Sequence, residues 1–447
     1  MQRRSERTGR RRAVTALVAV SFVMLAGACS ESAQQSKRPV VTVFGSVTDG
    51  DADAFAASMA SFERSSGIDV RYVGSANFEA DLLERVRRGD PPDLALLPQP
   101  GLLRALAEDG LALPYDGELE VAAQRDVDSR LVDLVTIDGQ VFGSWYSVTP
   151  KSLVWYSPKQ FAERGITPPT TWDELIKLTD QLVESGIAPW CLGVRDAGAT
   201  GWVATDWVED LVLRFAGPDT YDAWITHDIP FSDPQIADAV DRFGTIALSA
   251  TRVNGGNRAA VEFTVQESAR QLLGPNPECL MHRQASFLTD FLGTKVNVAP
   301  DGDLWVFPFP GPAGGASTMM LGGTAVGRFA DRPEVRETAA YLTTTDAAAA
   351  RAPLGGFISA LQSFDSNQYP AELNRTISQW TRDAEVVRFD ASDLMPPEVG
   401  VDAFWTGMTS WLSGARLSTT MAAIDASWPE VAVILPIAEV DRGSSEG

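Results

Sequence analysis

The sequence contains few of the residues on which metal binding and nucleophilic catalysis most often depend. Only 2 histidines and 3 cysteines occur among its 447 residues. A zinc site is built mainly from cysteine and histidine, and a Ser-His-Asp triad requires a suitably placed histidine. Neither HExxH nor a P-loop is present. We therefore expect no catalytic residues, no metal site and no cofactor, and we expect His227 and His282 to be structural.

Positive charge is also scarce. The chain has 37 Lys+Arg against 59 Asp+Glu, which gives a formal net charge of -22 at pH 7. Nucleic acid is excluded as a partner because binding a phosphate backbone requires a basic face. With 45% hydrophobic and 21% charged residues, the chain has the composition of a globular protein and is long enough for two or three domains.

The N terminus differs in charge from the rest of the chain. Residues 1–28 contain six arginines and one acid, and residues 13–28 are uncharged. That uncharged run is shorter than the ~20 residues needed to span a bilayer, and this favours an export signal over a membrane helix.

The small residues at 26–28 lead directly into Cys29, and this arrangement resembles the signal of a bacterial lipoprotein. In such a protein the cysteine is acylated and becomes the mature N terminus. We therefore expect a protein outside the cytoplasm, anchored to the outer face of the cell membrane through Cys29. An ordinary signal peptide cleaved after Ala28 and an uncleaved membrane anchor are the alternatives.

Two further cysteines, Cys191 and Cys279, remain once Cys29 is set aside. Exported proteins oxidise paired thiols, so these two residues predict a disulfide. It would close a loop of about 90 residues. The entropy that the unfolded chain loses through such a loop would stabilise the folded protein by about 4 to 5 kcal/mol. Two buried free thiols are the alternative.

The first part of the folded chain alternates between strand and helix patterns. Short apolar or alternating runs at 40–44, 68–72 and 93–97 predict strands, and helical spacing follows each of them. Right-handed crossovers arrange such units as a parallel sheet with helices on both faces. Ligands bind at the carboxyl ends of the strands in these sheets, where Gly45, Ser46 and Gln99 lie.

The chain then changes character. Asp138-Gly139-Gln140 predicts a hairpin turn, and residues 141–156 form an extended aromatic stretch. Thr171 and Glu174 have the spacing of a capping box at the start of a helix. The region from there to the C terminus predicts a second, largely helical lobe.

Several segments resemble the solute-binding proteins of ABC importers, more narrowly the carbohydrate-binding cluster that includes maltose-binding protein. The segments that carry this resemblance are Pro92-Asp93, 143–156, 169–175, 353–359 and 403–405. Other segments resemble the α-glucoside-binding branch of the cluster, namely 189–193, 199–202, 205–207 and 281–284.

The resemblance implies an α/β fold of two lobes, the Venus flytrap of periplasmic binding proteins, in which each lobe has a mixed sheet flanked by helices. The chain would cross a hinge near 147–150, 322–325 and 355–356. The expected parts are the signal peptide 1–28, the lipidated tether 29–38, lobe 1 from 39–147 plus 326–354, and lobe 2 from 150–322 plus 357–440.

The resemblance also implies a ligand site between the lobes. Tryptophan rings would pack against the C–H face of a sugar, and polar side chains would bind its hydroxyl groups. The expected ligand-binding residues are Gly45, Ser46, Gln99, Lys151, Trp202, Asp206, Arg283, Gln284, Gly356 and Trp405.

The implied function is that of a lipid-anchored receptor, without enzymatic activity, for an α-glucoside or related oligosaccharide. A monomer would deliver the sugar to the transmembrane subunits of an ABC permease driven by a cytoplasmic ATPase, and would touch the membrane only through its lipid. A receptor for a non-sugar solute such as a glycerol phosphodiester is the main alternative, although the acidic composition favours a neutral ligand. A lipid-anchored glycoside hydrolase and an envelope scaffold are less favoured.

Overall fold

The computed structural model describes residues 38–293 and 295–429. The predicted signal peptide, the lipidated Cys29 and the part of the predicted second lobe beyond 429 lie outside these residues. The strands are β1 (Val40–Gly45), β2 (Asp69–Gly74), β3 (Leu94–Leu97), β4 (Thr136–Ile137), β5 (Gln140–Val141), β6 (Gly143–Pro150), β7 (Leu153–Tyr156), β8 (Met281–Arg283), β9 (Trp305–Pro308), β10 (Thr318–Arg328), β11 (Ile358–Ser359) and β12 (Val386–Phe389).

The chain is rich in helices. The α-helices are α1 (Asp49–Ser66), α2 (Phe78–Arg87), α3 (Pro100–Glu108), α4 (Gly117–Gln124), α5 (Ser129–Leu134), α6 (Pro158–Glu163), α7 (Trp172–Glu184), α8 (Trp202–Phe215), α9 (Pro218–Ile225), α10 (Pro234–Ala247), α11 (Asn257–Glu262), α12 (Val265–Arg270), α13 (Pro333–Leu342), α14 (Thr345–Arg351), α15 (Glu372–Asp383), α16 (Ala391–Leu394), α17 (Trp405–Leu412) and α18 (Leu417–Asp425). Short 3-10 turns lie at Ala197–Ala199, Ser286–Phe291, Ala352–Leu354 and Ser366–Gln368, and a π-helical turn at Glu398–Phe404.

The larger of the main sheets is mixed and has seven strands. Its order is β11-β6-β10-β3-β1-β2, and β12 also pairs with β10. β1 pairs in parallel with both β2 and β3, so the β-α-β-α-β beginning predicted from the sequence is confirmed. The four residues of β3 are all buried, as expected for a central strand covered on both faces. The mixed α/β fold class is confirmed.

A second, antiparallel sheet has the order β8-β7-β9. Helices cover it, and an aromatic cluster fills the space between them. Trp207 lies in the middle of this cluster, with ring centroids 5.1 Å from Trp190, 5.3 Å from Phe243 and 5.2 Å from Phe309.

The chain passes from the large sheet to the small one immediately after β6. β6 pairs with β10 from Gly143 to Pro150, and β7 begins in the other sheet at Leu153. Only Lys151 and Ser152 connect the two strands, so their side chains lie where the sheets meet. The lobe boundaries given above remain a prediction.

Local signals in the sequence are reproduced in the structure. The Thr171 hydroxyl accepts a hydrogen bond from the amide of Glu174, whose carboxylate accepts one from the amide of Thr171, so the capping box is confirmed. Asp138 and Gly139 have φ of 49° and 77°, the left-handed values of a tight hairpin turn between β4 and β5.

The predicted disulfide is also present. Cys191 and Cys279 are bonded, with Cα atoms 5.4 Å apart. The bridge joins the residue after Trp190 to the segment that enters β8. Within residues 38–293 and 295–429, no helix is both long and apolar enough to cross a membrane.

Candidate functional site

One wall of the candidate site is formed where β1, β2 and β3 lead into α1, α2 and α3. Gln99 precedes α3 and is only 5% exposed. Its Nε2 donates a hydrogen bond to Oε1 of Glu79 in the first turn of α2, 2.9 Å away. Its Oε1 is buried and has no partner among the described residues. Gln99 therefore keeps an unused acceptor at the carboxyl edge of the sheet, where the sequence predicts a ligand contact.

The two other predicted residues of this wall follow β1. Gly45 is buried, and a Cβ there would lie 2.5 Å from the Tyr72 hydroxyl, so a side chain would have to displace that ring. Ser46 is exposed at the end of the strand. The segment at Gly356 is tied to this wall, since Arg351 bonds both the Gly355 carbonyl and Asp51. The first wall is formed by Gly45, Ser46, Asp51, Asn77, Glu79, Gln99 and Gly356.

The opposite wall is formed by the segment before α8 and by neighbouring turns. Trp202 is half-buried, and its indole N–H donates a hydrogen bond to Oδ2 of Asp196 at 2.8 Å. The Phe287 ring lies 5.9 Å from the Trp202 ring, centroid to centroid. The hydrogen bond fixes the orientation of an aromatic ring that keeps part of its face accessible. We call Asp196, Trp202, Phe287 and Asp290, with Trp405, the second wall.

Trp405 lies behind the turn that presents Trp202. Gly201 has φ of 117°, and a Cβ on it would lie 2.3 Å from the Trp405 carbonyl oxygen, so only glycine allows this approach. The Trp405 ring is 5% exposed. Its indole N–H is buried without a partner among the described residues. The residue has the burial of a core side chain and an unused donor beside the predicted site.

The two walls touch each other at two points. A Cβ on Gly198 would lie 2.7 Å from Oδ1 of Asn77, which immediately precedes α2. A Cβ on Gly356 would lie 2.5 Å from Oδ2 of Asp290. These contacts bring the two walls together, and they place the predicted residue Gly356 beside a carboxylate that the sequence analysis did not identify.

Two large cavities lie elsewhere on the chain. One, of about 720 Å³, is lined by residues such as Leu131, Val148, Ile358 and Phe389. The other, of about 1510 Å³, lies around α4 and α13. None of the ten predicted ligand residues lines either cavity. The polar groups and the aromatic ring of the two walls lie outside both cavities.

Three of the predicted residues, Lys151, Asp206 and Arg283, form a buried ionic network beneath the second wall. The Lys151 ammonium lies 3.1 Å from Oδ1 of Asp206 and 2.6 Å from Oδ2 of Asp390. Arg283 binds Asp206 at 3.2 Å and Asp210 at 3.1 Å. Asp206 is 1% exposed, so protein groups rather than a ligand occupy its oxygens in this structure.

Burial disfavours the ionised forms of several acids in this network. Burial raises the pKa of Asp206 to about 6 although Lys151 opposes the shift. Burial and the charge of Asp390 raise the pKa of Glu209 and of Asp393 well above the ordinary range. Burial also opposes the ionised form of Asp390, but Lys151 holds the pKa of this carboxyl below its usual value. Burial therefore favours the protonated forms of some of these acids.

Carboxylate oxygens of Asp206, Glu209 and Asp390 lie within 4.8 Å of one another, a spacing that a metal site would also have. The Lys151 ammonium already occupies the position between Asp206 and Asp390. The raised pKa of Glu209, caused by burial and Asp390, also favours a proton on this carboxyl rather than a metal bond. The arrangement is that of a structural salt-bridge network.

The remaining predicted residue, Gln284, is fully buried. Its Oε1 accepts a hydrogen bond from the amide of Ala285 at 2.7 Å, and its backbone carbonyl accepts one from the Trp155 indole at 2.9 Å. His282 contacts the Cys191 carbonyl oxygen through Nδ1 at 2.7 Å, and burial lowers its pKa to about 4. These contacts give both side chains a role in holding β8 in place.

The acidic side chains of the two walls were not among the residues predicted from the sequence. Burial raises the pKa of Glu79 and that of Asp196. Burial also raises the pKa of Asp51, although Arg351 opposes the shift. The pKa of Asp290 is raised to about 6 by burial and by the charge of Asp51. A carboxylate at the start of α1 or α2, just past a parallel strand, is the signal that would have identified Asp51 and Glu79.

The fold and the cleft are those of a two-lobe bacterial solute receptor. Structural similarity to the solute receptor AcbH, described by a preference for β-D-galactopyranose, has a TM-score of 0.75 and covers 87% of this chain and 98% of that one. The sequences are 18% identical, so this likeness concerns the fold.

Residues 45–349 match the family of bacterial extracellular solute-binding proteins, and the chain belongs to that family. It is 38% identical to the osmoprotective compounds-binding protein GgtB of Synechocystis sp., over 88% of this chain and 93% of the relative. It is 33% identical to the alpha-glucosides-binding periplasmic protein AglE of Rhizobium meliloti, over 88% of each chain.

Membership confirms the family recognised from the sequence and fixes the general activity. The protein is an extracytoplasmic solute-binding protein of an ABC transporter, and its ligand is a small molecule. The relatives are binding proteins rather than enzymes.

Proposed function

We propose that this protein is the receptor of an ABC sugar importer and that it captures a neutral α-glucoside in the cleft between the two walls. The names of the two relatives support this ligand class, since one binds α-glucosides and the other osmoprotective compounds. Each of them aligns with 88% of this chain.

The arrangement around Trp202 carries the proposal. A half-buried indole ring, fixed by Asp196, offers a face on which the C–H groups of a pyranose can pack. Glu79 and Gln99 supply acceptors for hydroxyl groups from the other wall, and Trp405 supplies one N–H donor. A few convergent polar groups beside an aromatic ring are typical of sugar sites.

The ten residues predicted from the sequence then divide into two groups. We propose direct ligand contacts for those that lie in the walls, which are Gly45, Ser46, Gln99, Trp202, Gly356 and Trp405. We propose a supporting role for Lys151, Asp206, Arg283 and Gln284, which are buried and each bond to another protein group. Nε of Arg283 and Nε2 of Gln284 have no partner among the described residues.

The transport steps follow from this role. We propose that acylated Cys29 anchors the protein to the outer face of the membrane and that the protein acts as a monomer. Closure of the two lobes about the hinge would present the loaded protein to the transmembrane subunits of the permease. The sugar can drive closure only through contacts that are better in the closed state, so each wall must provide some.

A glycerol phosphodiester fits this cleft less well. A phosphate group needs an arginine cluster or a helix N terminus free of acids. Here Glu79 and Asp81 occupy the first turn of α2, and Arg351 is paired with Asp51. The cleft therefore favours an uncharged ligand.

The proposal is tested by calorimetric titration of the purified protein with trehalose, sucrose, maltose, α-glucosylglycerol and glycerophosphodiesters. We expect one binding site for at least one α-glucoside, and chromatography should recover that sugar chemically unchanged. Binding of a phosphodiester alone would overturn the ligand class, and release of glucose would overturn the assignment as a receptor.

A further inference from the structure

The start of α2 and the turn before α8 meet at one of the points where the walls touch, and each carries a carboxylate. Asn77 immediately precedes α2, with Glu79 two residues later, and Gly198 lies two residues after Asp196. A Cβ on Gly198 would lie 2.7 Å from Oδ1 of Asn77, so the segments that carry Glu79 and Asp196 are in contact. Burial raises the pKa of Glu79, and the charge of Asp196 raises it further.

Each of these carboxylates is held by a neutral donor from its own wall. Gln99 donates to Glu79 at 2.9 Å, and the Trp202 indole donates to Asp196 at 2.8 Å. No lysine or arginine within residues 38–293 and 295–429 lowers the pKa of either carboxyl. The nearest ammonium to the Trp202 ring, that of Lys151 at 5.8 Å, is engaged by Asp206 and Asp390.

The other groups that face this pair do not supply a positive charge. Burial and the charge of Asp390 raise the pKa of Asp393, and the nearby charge of Glu79 raises it further. Gln99 adds a buried acceptor, its unpartnered Oε1, on the same side. Two like charges brought together in a partly desolvated cleft repel each other unless a proton or a hydrogen-bond donor lies between them.

We propose that Glu79 and Asp196 form a carboxylate pair across the cleft that selects uncharged, hydroxyl-rich ligands and rejects anionic glycosides. In the empty protein at neutral pH the pair opposes closure of the two walls. A ligand with hydroxyl groups donates hydrogen bonds to both carboxylates and lets the walls meet, whereas a ligand with its own carboxylate adds a third negative charge. This rests on the proposed function, because it assigns the selectivity of the same site.

The test compares two ligands that differ in one group, α-glucosylglycerol and α-glucosylglycerate, in which a CH2OH is replaced by a carboxylate. For the wild-type protein at pH 7.5 we expect the anionic ligand to bind at least 100-fold more weakly in calorimetric titration. Glu79→Gln and Asp196→Asn should each reduce this ratio at least tenfold. Glu84→Gln, an identical change at an exposed position of the same helix, should leave it unchanged. An equal ratio in Glu79→Gln and in the wild type would overturn the proposal.

A second readout does not depend on the ligand. Small-angle scattering of the ligand-free double variant Glu79→Gln/Asp196→Asn at pH 7.5 should give a smaller radius of gyration than the wild type. An unchanged radius would overturn the proposal. If instead the radius changes but no sugar binds, the repulsion stands and the proposed function fails.

Discussion

The ammonium of Lys151 lies 2.6 Å from Oδ2 of Asp390, although 239 positions separate the two residues in the chain. Lys151 directly follows β6 and Asp390 directly follows β12, and both strands pair with β10. The ion pair therefore joins the ends of two strands at the point where the large sheet meets the small one. Asp206 of α8 binds the same ammonium, so the helix that begins at Trp202 is fixed to this junction.

The first prediction concerns this junction. Lys151→Met should lower the free energy of unfolding by about 3 to 5 kcal/mol at pH 7, because Asp206 and Asp390 would remain buried without their cation. Loss of the cation raises the pKa of both carboxyls. They then take up protons on acidification, and the deficit should shrink as the pH falls from 7 towards about 5. Guanidinium denaturation at several pH values measures this change.

Lys159→Met is the matched control. Lys159 pairs with Asp303 at 2.7 Å on the surface, where an ion pair contributes about 0 to 1 kcal/mol. Equal losses of stability in the two variants would contradict a structural role for Lys151.

The second prediction concerns the aromatic platform. Trp202→Ala should weaken binding of the α-glucoside by about 1 kcal/mol or more, because the ring supplies the packing face. The thermal midpoint of the ligand-free protein should change less, since the ring is only half-buried. Trp380→Ala, at another half-buried tryptophan on α15, should leave the affinity unchanged. Unchanged binding in Trp202→Ala would remove this ring from the site.

The third prediction separates packing from ligand contact at Trp405. Trp405→Ala should destabilise the ligand-free protein by about 3 to 5 kcal/mol, because a nearly buried ring is removed. Trp405→Phe keeps an aromatic ring and removes the N–H together with part of the indole. It should bind the sugar more weakly with a smaller loss of stability, as judged by titration and thermal unfolding. Wild-type affinity in Trp405→Phe would make Trp405 a core residue alone.

The fourth prediction concerns the disulfide. The double variant Cys191→Ser/Cys279→Ser should lose about 2 to 5 kcal/mol of unfolding free energy, because the unfolded chain regains the freedom of a loop spanning 88 positions. Reduction of the wild type under denaturing conditions should give a similar loss. Guanidinium unfolding with and without dithiothreitol measures both, and a loss near zero would contradict this account.

The fifth prediction uses the contact between the walls. Gly198→Ala and Gly198→Leu should weaken sugar binding in that order, because a side chain there meets Asn77 before the walls close. The thermal midpoint of the ligand-free protein should change little, since Gly198 is exposed. Titration and scattering with the sugar present would show whether closure is impaired. Full affinity in Gly198→Leu would mean that the walls do not meet here in the loaded protein.

The site was predictable only in part, and Asp206 shows why. It lies one helical turn after Trp202, so the sequence alone suggests that both face the ligand. The structure places Lys151 and Arg283 against it, from positions 55 and 77 residues away. Nothing in the local sequence records those partners. Asp196 was missed for the same reason, since its approach to α2 on the opposite wall has no local pattern. Glu79 did have a local signal, because it lies at the start of α2 just past a parallel strand.

The sequence by itself determined the elements whose causes are local. The strands of the first β-α-β-α-β units, the capping box at Thr171 and the turn at Gly139 each follow from neighbouring residues, and the count of cysteines predicted the pairing of Cys191 with Cys279. Only the tertiary structure decided which polar side chains face the cleft and which lie in buried ion pairs, because that choice depends on the distances between groups far apart in the chain.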